Sequence, residues 1–149
     1  FDPLGFCKKG DDEEYLEEFR KLRAAEIKHG RVAMLASVGC VAQHWLRLPG
    51  FEQAKNTFQS EVDFALKPPA VYGLCASIVV VMFLELGPWT QTDGREPGDF
   101  GDPLNFGMYT KEMRNREINN GRFAMFATVG IVSAQILTGK DAVQQFGFS

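Results

Sequence analysis

The chain has 149 residues, a net charge of −3, 45% hydrophobic residues and a slightly negative mean hydropathy, and by length it is one domain. The net charge gives no support to nucleic-acid binding, and no basic run is long enough to track a phosphate backbone. Its three cysteines, Cys7, Cys40 and Cys75, are odd in number and widely scattered, which argues against a zinc site or a disulfide framework.

The average conceals the distribution, because polar residues concentrate in the two ends and the connecting loops. Asp2-Pro3-Leu4-Gly5-Phe6 reads as a turn. The sequence starts at Phe1 without a signal-like segment, which fits either a removed targeting peptide or one lying outside this sequence. From Asp11 the pattern is helical: Asp11, Asp12, Glu13 and Glu14 suit a helix N-terminus, and Tyr15, Leu16, Phe19, Leu22 and Arg23 recur at helical spacing. Helix one is expected from about Asp12 to about Leu46, where Leu48-Pro49-Gly50 stops it. At 1.5 Å per residue that is roughly 52 Å, longer than the ~30 Å hydrocarbon core, so it must tilt or project.

Residues 51–67 form a mixed connection with a short surface helix near Phe51–Phe58. Pro68 to Leu84 carries no charge and reads as a short middle span, about Pro69 to Gly87, with a buried soluble helix as the alternative. Residues 88–109 are rich in Gly, Pro and Asp, a loop without periodicity. Helix three is expected from about Thr110, an N-cap with Glu112 close behind, to Thr138, with Gly139 as C′ residue. If the three segments span, twelve of the sixteen basic residues fall on the side of the N-terminus, as the positive-inside tendency expects.

The two long helices carry an internal repeat, the first thing to seek in any chain. Glu26 to Gly39 and Glu117 to Gly130 match at nine of fourteen positions, 91 residues apart and without a gap. Glu26 and His29 share a helix face, as do Glu117 and Asn120. Small residues at Gly30, Ala33, Ser37 and Gly121, Ala124, Thr128 permit close helix approach in a membrane. Two such helices crossing about a pseudo-twofold axis can exchange their charges, Glu26 with Arg122 and Glu117 with Arg31. A carboxylate at membrane depth is costly, and pairing with Arg is the usual remedy.

A paired Glu keeps free lone pairs, as do a neutral His and the carbonyl of Asn or Gln. These donors suit a single axial position on a magnesium ion already held in a planar macrocycle. For one copy alone, a purely structural ion pair is the simpler reading. Duplication with a donor atom kept three residues on favours ligation. His44, Glu85 and Gln135 are further candidates: His44 reads first as an interface residue, while Glu85 reads equally as a bilayer-surface charge and Gln135 equally as a polar contact. A haem-binding electron-transfer subunit needs facing histidines on different helices, and His29 and His44 both lie on helix one.

At these residues the sequence resembles the light-harvesting complex superfamily. The resemblance rests on Asp2-Pro3-Leu4-Gly5, the two Glu-x-x-(His/Asn)-x-Arg-x-Ala-Met motifs, the middle span ending in Glu85, and the loop Pro97-Gly98-Asp99-Phe100-Gly101-Asp102-Pro103. His29, Asn119-Asn120 and the short middle helix are similar to the chlorophyll a/c antennae of algae with secondary plastids. These bind fucoxanthin or peridinin, and the Arg95–Asp102 loop leans toward the peridinin type of dinoflagellates.

The resemblance implies an all-α membrane protein of three transmembrane helices, the first and third long, crossed and pseudo-twofold related, the middle one short. It implies a multi-pass protein of the plastid thylakoid membrane with a stromal N-terminus. Its role would be absorption and energy transfer rather than catalysis, with a dissipative, photoprotective member as the alternative. Implied cofactors are chlorophyll a, chlorophyll c and carotenoids (peridinin or fucoxanthin, with a diadinoxanthin-type companion). Implied partners are thylakoid lipids, neighbouring antenna subunits and a photosystem core, with photosystem I favoured. Carried over by position, Glu26, His29, Glu85, Glu117 and Asn120 bind chlorophyll magnesium, with Arg31 and Arg122 as counter-charges. Gly30, Ala33, Gly121 and Ala124 would admit a polyene. Gln135 lies one residue after the family's usual third-helix Gln position, held here by Ala134. The middle-helix Gln is replaced by Ala76 and Ser77.

Overall fold

The computed structural model describes residues 12–46, 58–87, 89–90, 95–99, 107 and 110–147. Its elements are α1 (Asp12–Ala42), α2 (Phe58–Ala65), α3 (Ala70–Leu86), α4 (Lys111–Thr138) and α5 (Ala142–Gln145). Among the described residues there is no strand.

The core is the crossing of α1 on α4, the most extensive packing among the described elements. It is built from small residues: Ala24, Gly30, Ala33, Gly121 and Ala124 are buried, with Ile27 as the one large apolar side chain among them. Gly30 and Gly121 face each other so closely that a Cβ on either would stand 3.0 Å from the other's Cα. Small residues let backbones approach where lipid offers no hydrophobic drive for association. Thr128 Oγ1 adds a bond across the crossing to the Ala33 carbonyl at 3.1 Å.

Most large apolar side chains point outward instead. Phe123, Phe126 and Leu137 are at least 77% exposed, and α3 has no buried residue. So much exposed apolar surface marks a chain that is not surrounded by water alone. By length and composition α4 is long and apolar enough to cross a membrane, and α3 is a shorter apolar helix.

Helix ends follow local chemistry. Thr110 Oγ1 accepts from the Met113 N–H at 3.3 Å, and Gly139 closes α4 at φ 66°, donating to the Gln135 carbonyl. α1 ends at Ala42, before the expected Leu46, and residues 43–45 turn. The expected surface helix near Phe51–Phe58 lies almost wholly outside the described residues; a helix runs instead over Phe58–Ala65. α5 was not anticipated. Its signal is a capping box, in which Asp141 accepts from Val143 N and Gln144 N while Gln144 Oε1 accepts from Asp141 N.

Candidate functional site

The repeat brings its charges together across the crossing. Arg31 Nε donates to Glu117 Oε1 at 2.5 Å, and Arg122 Nε donates to Glu26 Oε1 at 2.6 Å. The 91-residue offset thus becomes a spatial exchange between α1 and α4. The two pairs are not equivalent. Arg23 Nη1 also holds Glu26 Oε2 at 2.6 Å, so both oxygens of Glu26 accept an arginine. The matching residue in the second copy, Arg114, turns away to Glu96 at 2.8 Å.

Glu117 Oε2 is therefore left without a hydrogen bond among the described residues. Each carboxylate oxygen has two lone pairs, so Glu26 retains acceptor capacity as well, though less of it.

The stretch 95–99 acts as a clasp over this end of the crossing. Glu96 takes Arg114, and the Gly98 carbonyl accepts from Arg31 Nη2 at 3.0 Å. Gly98 sits at φ 79° with Ile27 2.9 Å from where a Cβ would stand, so only glycine suits the position. Between the clasp and the helices lies a cleft of about 600 Å³ with a mixed lining, Arg23, Arg114, Arg122 and Glu117 together with Phe19 and Ile27 among others.

His29 is exposed, and its Nδ1 lies 2.7 Å from the Ala25 carbonyl. A carbonyl only accepts, so Nδ1 carries the proton and Nε2 keeps a lone pair directed off the helix. Ring-nitrogen metal ligands are commonly oriented by this kind of bond to the other nitrogen. Asn120 is its exposed counterpart on α4. Among the described residues no cluster of three or more His, Cys, Asp or Glu is spaced to cage a metal ion. What the chain offers is separate single donors, which fits a metal whose equatorial positions are filled by another group.

Two apolar grooves flank the crossing. The larger, about 870 Å³, is lined by Ser37, Val38, Phe123, Ala124 and Ala127 among others. The smaller, about 570 Å³, is lined by Val32, Ala33, Ala36, Thr128 and Val129 among others. Each of these five residues of one groove stands 91 positions from one of the other, so the grooves are repeat mates. The expectation that Gly30 and Gly121 admit a polyene needs correction. Both are consumed by the helix contact, and it is Ala33 and Ala124 that open the grooves.

The remaining candidates sit elsewhere. Glu85 Oε2 accepts from Lys28 Nζ, tying α3 to α1. Gln135 is only 1% exposed, and its Nε2 is buried without a hydrogen bond among the described residues, so it faces inward. His44 Nδ1 donates to Asp141 Oδ2 at 2.8 Å, and Asp141 is fully buried. Sequence reading passed over Arg23, Glu96, Lys28 and Asp141. Arg23 and Asp141 left local signals, an i,i+3 pair and a capping box; the partners of Lys28 and Glu96 depend on the tertiary fold.

Glu61 on α2 faces this last corner. Burial, and secondarily the Asp141 charge, raise its pKa above the usual 4.5. A raised folded-state pKa means that the folded chain holds the proton more tightly than the unfolded chain. The stability it contributes is complete below 4.5 and is lost as pH rises through the folded value. Wild type is therefore expected to lose thermal stability relative to Glu61→Gln as pH rises, the two being alike at acid pH. Parallel melting profiles from about pH 4 to about pH 8 would refute this.

Paired glutamates with outward donors three residues on, repeated on crossed helices, call for comparison with known families. The model for chlorophyll a/b-binding proteins matches residues 1–136. The chain belongs to the chlorophyll a/b-binding protein family. Among its curated relatives within that family, fucoxanthin-chlorophyll a-c binding protein B of Macrocystis pyrifera is 34% identical, with 96% of this chain and 70% of that protein covered. The fucoxanthin-chlorophyll a-c binding protein of Chattonella marina var. antiqua is 33% identical over 98% of this chain and 68% of its own length. Protein F of Phaeodactylum tricornutum is 34% identical over 89% and 71%.

Proposed function

We propose that this member of the chlorophyll a/b-binding family is a light-harvesting antenna. It binds chlorophyll a, chlorophyll c and carotenoid in the plastid thylakoid membrane and passes excitation to neighbouring antennae and a photosystem core. The observation that carries the reading is the charge-compensated Glu117, whose Oε2 accepts no hydrogen bond among the described residues and which is followed three residues on by exposed Asn120, mirrored by Glu26 and exposed His29. Chlorophyll would supply the absorbing macrocycle, and Glu26, His29, Glu117 and Asn120 would hold its magnesium. The chain supplies neutral donors for it, because a carboxylate held by arginine brings no net charge to membrane depth.

The two repeat-mate grooves, apolar and open along the helices, have the shape and chemistry for carotenoid polyenes. In this reading α1, α3 and α4 all span, with the N-terminus on the stromal side where most basic residues gather. The named relatives are fucoxanthin proteins, which favours fucoxanthin over peridinin as the principal carotenoid. A dissipative role is the second reading, favoured by the acid corner of Glu61 and Asp141 with His44. A large fall in fluorescence yield on acidification, abolished in Glu61→Gln, would select it.

Extraction of pigments from the purified protein tests the main reading. Chlorophylls a and c with fucoxanthin are expected. Peridinin would move the chain to the dinoflagellate type, and the absence of any tetrapyrrole would leave the Glu–Arg pairs purely structural.

A further inference from the structure

α3 poses a problem of attachment. Among the described elements it packs only on α2, and none of its seventeen residues is buried. Hydrophobic contact therefore does little to set its place against the α1–α4 crossing. The described side-chain bond that reaches from α1 is Lys28 Nζ to Glu85 Oε2, spanning 57 residues of sequence.

Glu85 is the only charged residue of α3. Without a cation it would bring an uncompensated carboxylate to the end of an apolar helix, which is costly in a membrane. Lysine compensates it differently from the double arginine grip on Glu26. An ammonium is a compact point charge, and here it occupies one oxygen and leaves Glu85 Oε1 without a hydrogen bond among the described residues. That is the same condition in which Arg31 leaves Glu117.

The repeat supplies an independent argument. Position 28 is one of the five places where the two fourteen-residue copies differ, and its mate is Asn119. The pseudo-twofold axis relates α1 to α4, whereas α3 occurs once. The copy on α1 carries a cation there, and it meets the carboxylate of the single α3; the copy on α4 carries none at that position.

We propose that Lys28 is the positioning and charge-compensating partner of Glu85, seating α3 against α1 and making Glu85 a neutral, one-oxygen ligand for a magnesium-centred pigment. The proposal rests on the antenna reading. It makes Lys28, which touches no magnesium itself, the determinant of a third carboxylate site.

The test is reconstitution of the full chain with chlorophylls and carotenoids as wild type, Lys28→Met, Lys28→Arg and the double variant Lys28→Met/Glu85→Gln. Chlorophyll per chain and visible circular dichroism are read, with far-UV circular dichroism to confirm helix content. Lys28→Met is expected to lose a single chlorophyll and keep the others, and Lys28→Arg to keep it. The double variant regains it, because an amide carbonyl ligates without needing a cation. A merely structural tether would not be rescued by Glu85→Gln. Full pigment in Lys28→Met, or a double variant no better than the single one, overturns the role of Lys28 while the antenna reading stands. A wild type that takes up no chlorophyll overturns the antenna reading and this proposal together.

Discussion

Arg31→Leu is expected to destabilise the folded chain by about 2–4 kcal/mol and, on the ligation proposed above, to release a pigment from Glu117. The guanidinium bonds to different parts of the fold, among them Glu117 Oε1 at 2.5 Å and the Gly98 carbonyl at 3.0 Å. Leucine removes these bonds. It leaves a part-buried carboxylate without its cation and loosens the clasp over the crossing. Breaking a fully buried pair by removing one partner costs roughly 3–5 kcal/mol. The side chains here are 32% and 25% exposed, which lowers the expected figure. Unfolding in detergent followed by circular dichroism, with pigment content measured alongside, checks it. The charge-swapped pair Arg31→Glu/Glu117→Arg should recover part of the loss, because the pairing and not either residue alone is what matters. A single variant within about 0.5 kcal/mol of wild type would show that the pair contributes little.

Gly30→Val should be of comparable severity by a different route. The added Cβ alone would stand 3.0 Å from Gly121 Cα, and backbone cannot rotate away as a side chain can. The helices must separate, which withdraws Ala33 and Ala124 from contact and changes the width of both grooves. Overpacking typically costs about 1–3 kcal/mol, and a rigid backbone neighbour puts this substitution at the upper end. Loss of carotenoid per chain, together with a lowered melting temperature, is the expected result. Gly39→Val, where nothing lies within 4 Å of a Cβ, is the control and should leave both readings close to wild type. Equal damage from the two substitutions would mean that helix propensity, not the crossing, sets the effect.

How far the sequence could be read followed from symmetry. The exchange of Glu26 with Arg122 and of Glu117 with Arg31 was legible because a repeat of fixed offset implies a twofold, and a twofold implies reciprocal contacts. Helix limits were legible where residues act locally, as at Thr110 and Gly139. What escaped depends on where the unrepeated parts of the chain come to lie. Nothing along α1 says that Lys28 meets Glu85, since the position of α3 is not encoded in the spacing of α1. The imbalance between Glu26 and Glu117 was hidden for the same reason: Arg23 and Arg114 are repeat mates, and Arg114 pairs with Glu96 while Arg23 pairs with Glu26. The small residues were correctly read as a close-approach surface. Which of them would be spent on the helix contact, Gly30 and Gly121, and which would line a groove, Ala33 and Ala124, required the crossing point itself.

The most direct test of the antenna assignment is the fluorescence excitation spectrum of the purified pigment–protein, recorded at chlorophyll a emission. Ligands that hold pigments at fixed spacing on one small scaffold should make transfer efficient. Light absorbed by chlorophyll c and by carotenoid should then appear as chlorophyll a emission, and the excitation spectrum should follow the absorption spectrum. Chlorophyll a that emits only when excited directly, or a chain that carries no chlorophyll at all, would contradict the account.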